Sequence, residues 1–136
     1  MIITNDAILK KLANYSNKNT KLAREVRDGK IIKIVNGLYE TDSNTPGYLL
    51  AGSIYGPSYI SFEYALSYYG MIPERVYAIK SATFKKNKIK KYKNDFGLFL
   101  YQDVNPNAYP YDINQIEIDG TKIQIASKEK ALLDLL

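Results

Sequence analysis

Lys21, Arg24 and Arg27 recur at three-residue steps in KLAREVRDGKIIKIVNGLY, Lys21 to Tyr39. That spacing ranges them along the outside of a helix whose inner face carries Leu22 and Val26. The chemistry open to them is anion recognition: arginine can bridge guanine O6 and N7 with two hydrogen bonds, and lysine neutralises a phosphate as a point charge. Lys18 stands at the helix entrance, and Lys30 and Lys33 lead into a ribbon turned at Asn36-Gly37. Lys18, Lys21, Arg24, Arg27, Lys30, Lys33 and Asn36 are therefore the candidate DNA-binding residues, with Arg24 or Arg27 reading bases and the lysines holding phosphates. The competing reading is a solvated basic surface, in which Asp28 pairs locally with Arg24 for a few tenths of a kcal/mol.

The elements that must position these groups follow from the same stretch. Thr20 suits an N-cap, and Gly29 suits the left-handed residue that ends many helices. Ile31, Ile32, Ile34 and Val35 are strand formers, and Asn-Gly matches the two positive-φ sites of a type I′ turn. Ahead of them, a helix is predicted from about Asn5 to Tyr15, with Ile8, Leu9, Leu12 and Ala13 forming a buried stripe and Lys10 and Lys11 outside. Ser16 to Thr20 is its turn.

Composition narrows the chemistry. The chain has 136 residues with no Cys and no His, which removes thiolate and imidazole metal ligands and the commonest catalytic bases. No apolar run approaches the roughly 20 residues that span a bilayer, and MIITNDAILKK lacks the apolar core of a signal peptide. A cytoplasmic protein without a membrane partner, cofactor or metal is expected. Positive charge is gathered in two places: residues 1 to 41 carry eight Lys or Arg against four acids, and residues 80 to 93 carry seven Lys and no acid.

Asp42 to Gly47, DSNTPG, is a cluster of turn formers and the expected boundary between a module at 1–45 and another at 46–136. In the second, Tyr48 to Tyr55 reads as a short helix closed by Gly56-Pro57. Ser61 reads as the cap of a helix with Phe62, Ala65, Leu66 and Tyr69 inward, ended by Gly70 and Pro73. Val76 to Phe84 and Gly97 to Val104 are predicted strands flanking a lysine-rich, mobile connection at Lys85 to Lys93, with added phosphate contacts as its functional alternative. Ile113 to Ile118 and Thr121 to Ala126 form a hairpin around Asp119-Gly120, and Ser127 caps a final helix.

The aromatic set Tyr55, Tyr59, Phe62, Tyr64, Tyr68, Tyr69 and Tyr77 reads as core packing rather than a base-stacking platform, with Tyr64 and Tyr68 on another face where a partner could meet them. Asp112, Glu117, Asp119 and Glu129 are the only carboxylates that suggest catalysis, as a metal-dependent nuclease. A solvated face is the stronger reading, so the chain is not expected to be an enzyme. A module that binds a toxin directly is a third reading.

Three stretches together resemble the AbiEi-type antitoxins of abortive-infection, type IV toxin-antitoxin systems: KIIKIVNGLYE at Lys30 to Glu40, PSYISFEYALSYYGMIPE at Pro57 to Glu74, and IASKEKALLDLL at Ile125 to Leu136. They occur in the family's order and span nearly the whole chain. The resemblance implies an α+β protein with an N-terminal winged helix-turn-helix that represses its own operon by binding inverted repeats in promoter DNA. It also implies a second, mixed helix and antiparallel-sheet domain that counteracts a nucleotidyltransferase-like toxin, with direct toxin binding left open. Family members continue with further helices, so a chain truncated at its C-terminus is expected.

Overall fold

The computed structural model describes residues 2–12, 17–107, 109 and 111–136. Backbone packing groups residues 1–45 with 94–96 as one unit and residues 46–93 with 97–136 as a second. The architecture is α+β throughout.

The first unit begins with strand β1, Ile2–Thr4, which the sequence reading did not anticipate. Helix α1, Asn5–Lys11, follows, with Thr4 Oγ1 accepting from the Ala7 N–H at 3.2 Å as its N-cap. The predicted continuation through Ala13 to Tyr15, and Ser16 of the predicted turn, lie outside the described residues. Helix α2 is Lys18–Arg27. Its cap is Asn17, whose Oδ1 accepts from Thr20 N–H at 3.2 Å, so Thr20 lies inside the helix instead of capping it. Asn17 wins because an Asn side chain at that position meets the third amide ahead. At the other end Gly29 has φ +78°, and Gly29 N–H and Lys30 N–H donate to the carbonyls of Val26 and Glu25. That is a Schellman closure.

Strands β2, Ile32–Val35, and β3, Leu38–Glu40, complete a three-stranded sheet of order β1-β3-β2, antiparallel throughout. Only Gly37 of the Asn-Gly pair has positive φ, so the turn is not the expected type I′. The register shifts between Lys33 and Val35, a bulge of the kind that increases local twist. Ile3, Ile8, Leu22 and Tyr39 are the buried core of this unit, with Ala7, Leu9, Leu12, Val26 and Ile31 packed on it.

In the second unit, a 3-10 turn at Gly47–Leu49 and helix α3, Ala51–Ile54, replace the single predicted helix. Strand β4, Tyr59–Ile60, leads into helix α4, Phe62–Tyr68. Gly70, φ +73°, closes α4 with the same Schellman pair of hydrogen bonds, Gly70 to Ser67 and Met71 to Leu66. Strands β5, Ala78–Thr83, β6, Lys90–Asn94, and β7, Gly97–Asp103, follow. Then come β8, Ile113–Ile118, β9, Thr121–Ala126, and helix α5, Lys128–Asp134, capped by Ser127 Oγ.

The six strands order as β6-β7-β5-β4-β9-β8. This sheet is mixed, which corrects the antiparallel expectation: β5 runs parallel to β7, and β4 parallel to β9. Each parallel pair joins strands that are not consecutive in the chain, and hairpin signals are silent about such pairs. The Asp119-Gly120 turn has φ of 50° and 80°, as type I′ requires, with Ile118 opposite Thr121. Among the described residues no helix is long and apolar enough to cross a membrane.

Candidate nucleic-acid interface

Helix α2 turns its apolar stripe inward: Leu22 is buried and Val26 half-buried against the core. With about 3.6 residues per turn, Thr20, Arg24 and Arg27 fall on the side opposite that stripe, with Ala23 beside them. All four are exposed. Ala23 has no side chain long enough to keep a ligand from the backbone. Thr20, inside the helix, brings a hydroxyl to the same face.

The basic residues are not equivalent. Lys21 is half-buried and its Nζ lies 3.3 Å from Glu25 Oε1, one turn on, so it does not project freely from the outer face as predicted. Asp28 pairs with Arg27 at 3.4 Å rather than with Arg24, because the C-cap position carries its carboxylate beside the last helical residue. Both side chains of that pair are more than half exposed, so the contact is weak and easily exchanged for a phosphate. Arg24 is exposed and makes no ion pair within 4 Å among the described residues. Lys18, at the first turn, Lys30, just past Gly29, Lys33, on the outer side of β2, and Asn36, at the hairpin turn, are exposed as well. The fold thus collects all seven predicted residues on one unit. Of the two candidate arginines Arg24 is the less encumbered, and Lys21 is the most encumbered of the candidate lysines.

At the end of β3, Glu40 is buried. Burial pushes its pKa up, but hydrogen bonds to the carboxylate, including those from the Asp42 and Thr41 amides, outweigh this and hold it below the usual value.

The carboxylates of the nuclease alternative do not assemble. Glu117 is exposed opposite Lys122 across the β8–β9 ladder, and Asp119 belongs to the turn. Asp112 and Glu129 are exposed too, and no metal-holding group of three acidic side chains occurs among the described residues. The aromatic set divides. Tyr59 and Phe62 are core, Tyr55, Tyr64 and Tyr69 are half-buried, and Tyr68 and Tyr77 are exposed; Tyr68 lies away from the core as expected, and only the core assignment of Tyr77 is corrected. Tyr69 donates to Ala126 O at 2.8 Å.

One polar cluster was not foreseen. Asp134 Oδ2 accepts from Tyr59 Oη at 2.8 Å and from Ser61 Oγ at 2.6 Å. Its Oδ1 lies 3.8 Å from Lys130 Nζ, and both side chains of that pair are 5% exposed. Lys130 Nζ also sits 5.2 Å from the Tyr59 ring centroid. Burial, then the hydrogen bond to Asp134, push the Tyr59 hydroxyl pKa far up, so it stays protonated and donates to the carboxylate. Since Ser61 donates to Asp134, its side chain does not cap α4 as predicted. The i,i+4 Lys-Asp spacing in EKALLD was the available signal. It reads equally well as an exposed helix pair, so only burial distinguishes the two.

No family model matches this chain, and no curated protein matches it.

Proposed function

We propose that the chain is a non-enzymatic DNA-binding antitoxin that represses its own operon and counteracts a nucleotidyltransferase-like toxin. In this reading α1 and α2 act as a helix-turn-helix, α2 enters the major groove, and the β2–β3 ribbon is the wing of a reduced winged-helix module with β1 as its third strand. The observation that carries it is the exposed Thr20, Arg24 and Arg27 face of α2 opposite the buried Leu22, continued by Lys30 and Lys33. The likeness of three stretches to AbiEi-type antitoxins supports the toxin-antitoxin assignment, promoter inverted repeats as the target and a cytoplasmic setting.

The test is a gel-shift titration against duplex from the chain's own promoter and against random duplex at physiological salt. Tighter promoter binding is expected. With four or five phosphates contacted, the log-log salt slope should be about −4, roughly −0.9 for each. Equal affinity for both duplexes removes the repressor reading. The antitoxin half is tested by rescue of growth against the toxin encoded beside it.

A second reading, direct toxin binding, draws on Leu132 and Leu133 of α5, which are 54% and 65% exposed. Co-purification with the neighbouring gene product would favour it.

A further inference from the structure

The second unit holds a cavity of about 320 Å³, a volume within the range of small-molecule sites. It is lined by Tyr48 and Gly52 from the 3-10 turn and α3, by the chain entering β4, by Ser81 of β5 and by residues 122–124 of β9. Ser81 Oγ is fully buried and has no hydrogen-bond partner among the described residues. A buried hydroxyl left in that state is rare and calls for a water or a ligand. Its side chain lies on the α3 side of the sheet. Lys80, one residue earlier, reaches α4 on the other side, with Nζ 3.7 Å from Glu63 Oε2, and side chains alternate along a strand. Tyr101, opposite Ser81 on β7, donates to the Ala51 carbonyl of α3.

The β9 wall presents backbone. Ile118 and Thr121 flank a two-residue turn and so form a hydrogen-bonded pair. Bonded and non-bonded pairs alternate in an antiparallel ladder, so Ile123 and Ile125 also direct their backbone groups at β8. Ser127 continues the alternation, donating to Asp112 O at 2.9 Å. The backbone groups of Lys122, Gln124 and Ala126 therefore point to the opposite edge, where Ala126 O accepts from Tyr69 Oη. Strand β4 pairs with that edge at Ile60, opposite Ile125. Further back along β9, the Lys122 carbonyl and the Gln124 N–H face the cavity.

We propose that this cavity is a binding site for a planar, nucleobase-type heterocycle, held along one edge by the Lys122 carbonyl and the Gln124 N–H and at its inner end by Ser81 Oγ. A carbonyl and an N–H two residues apart on one strand edge suit a ring that carries an N–H donor beside a nitrogen acceptor. The 6-amino group and N1 of adenine have that arrangement, and protein sites read bases through such edges together with aromatic faces. Tyr48 offers the aromatic face, and no acidic side chain lines the cavity. Bound water would satisfy the same three groups but would give no preference among purines. The site lies wholly within the second unit and does not rest on DNA reading by the first.

The experiment titrates the full, ¹⁵N-labelled chain with adenine and follows backbone amide resonances. The Gln124 N–H is expected to shift downfield and saturate. N6,N6-dimethyladenine, which lacks the donor, should bind at least about ten-fold more weakly. Ser81→Ala should weaken adenine about five-fold. Gly52→Leu extends a side chain from a position whose Cβ meets nothing within 4 Å, and should abolish saturable binding with the fold intact by circular dichroism. Lys122→Ala and Gln124→Ala leave the backbone groups in place and should bind as the unsubstituted chain does. No saturable shift with adenine, equal affinity for the dimethyl analogue, or loss of binding in Lys122→Ala and Gln124→Ala each overturns the proposal. Failure of operator preference in the unsubstituted chain leaves it standing.

Discussion

Asp134→Ala is a severe single change in the second unit. It removes one carboxylate that serves three groups: Tyr59 Oη, Ser61 Oγ and the Lys130 ammonium. Deleting one partner of a buried ion pair costs about 3–5 kcal/mol, and Lys130 keeps a further contact that holds its share to the low end. Each buried hydroxyl deprived of its acceptor adds about 1–3 kcal/mol where water cannot replace it. These terms overlap because they share one side chain, so a net loss of about 4 kcal/mol is expected. Set against the roughly 5–15 kcal/mol that holds a typical domain folded, this is a large share. With a urea m-value of about 2 kcal/mol/M the midpoint falls by about 2 M. Thirteen tyrosines and no tryptophan make tyrosine fluorescence the natural probe, beside far-UV circular dichroism. Asp134→Asn should lose less, since an amide oxygen still accepts from the hydroxyls. The double change Lys130→Met with Asp134→Leu should recover part of the loss by removing both charges together. A loss below about 1 kcal/mol for Asp134→Ala, the range of exposed pairs, would refute the argument and show the cluster to be wet.

Arg24→Ala should lower the ratio of operator to random-duplex affinity by about 1–3 kcal/mol, whereas Lys33→Ala should weaken both duplexes alike; if Arg24→Ala leaves the ratio unchanged in gel shifts, α2 does not read bases. Asp103 is held below the usual carboxylate range: burial raises its pKa, but hydrogen bonds from Asn87, Thr83 and Lys86 and the nearby Lys86 charge outweigh this. Its stabilisation of the loop is thus complete above the unfolded value and lost as pH falls through the lower folded value, and the Lys86 and Asn87 amide resonances should titrate there; a midpoint above the usual range would contradict the hydrogen-bond network. Gly120, φ +80°, should lose about 1 kcal/mol or more as Ala, while Gly52, helical and with open space around its Cβ position, should gain about 0.5–1 kcal/mol as Ala; urea midpoints moving in the same direction would show that backbone conformation does not govern these sites.

Features written in neighbouring residues were legible from the sequence. Gly29 and Gly70 closing helices, Asp119-Gly120 turning a hairpin, Ser127 capping α5 and the inward Leu22 and Val26 each depend on contacts within a few positions. For those contacts local propensity and spacing decide the outcome. The candidate interface was legible for the same reason, since residues on one helix and the following ribbon share a unit whatever else the chain does. Its electrostatics were less so. Choosing Glu25 for Lys21 and Arg27 for Asp28 turns on side-chain directions that spacing leaves open.

Only the tertiary structure decided what depends on distant partners. Ile2–Thr4 becomes a strand because β3 lies beside it. The second half of the lysine stretch is a strand because β7 supplies a sheet edge, and its first half turns on the Asp103 carboxylate. The hydroxyl of Ser61 leaves its own helix for Asp134, 73 residues away, and the same packing takes Lys130 inside. A buried charge and a solvated one have identical local sequence signatures; what separates them is the desolvation imposed by chain brought from elsewhere.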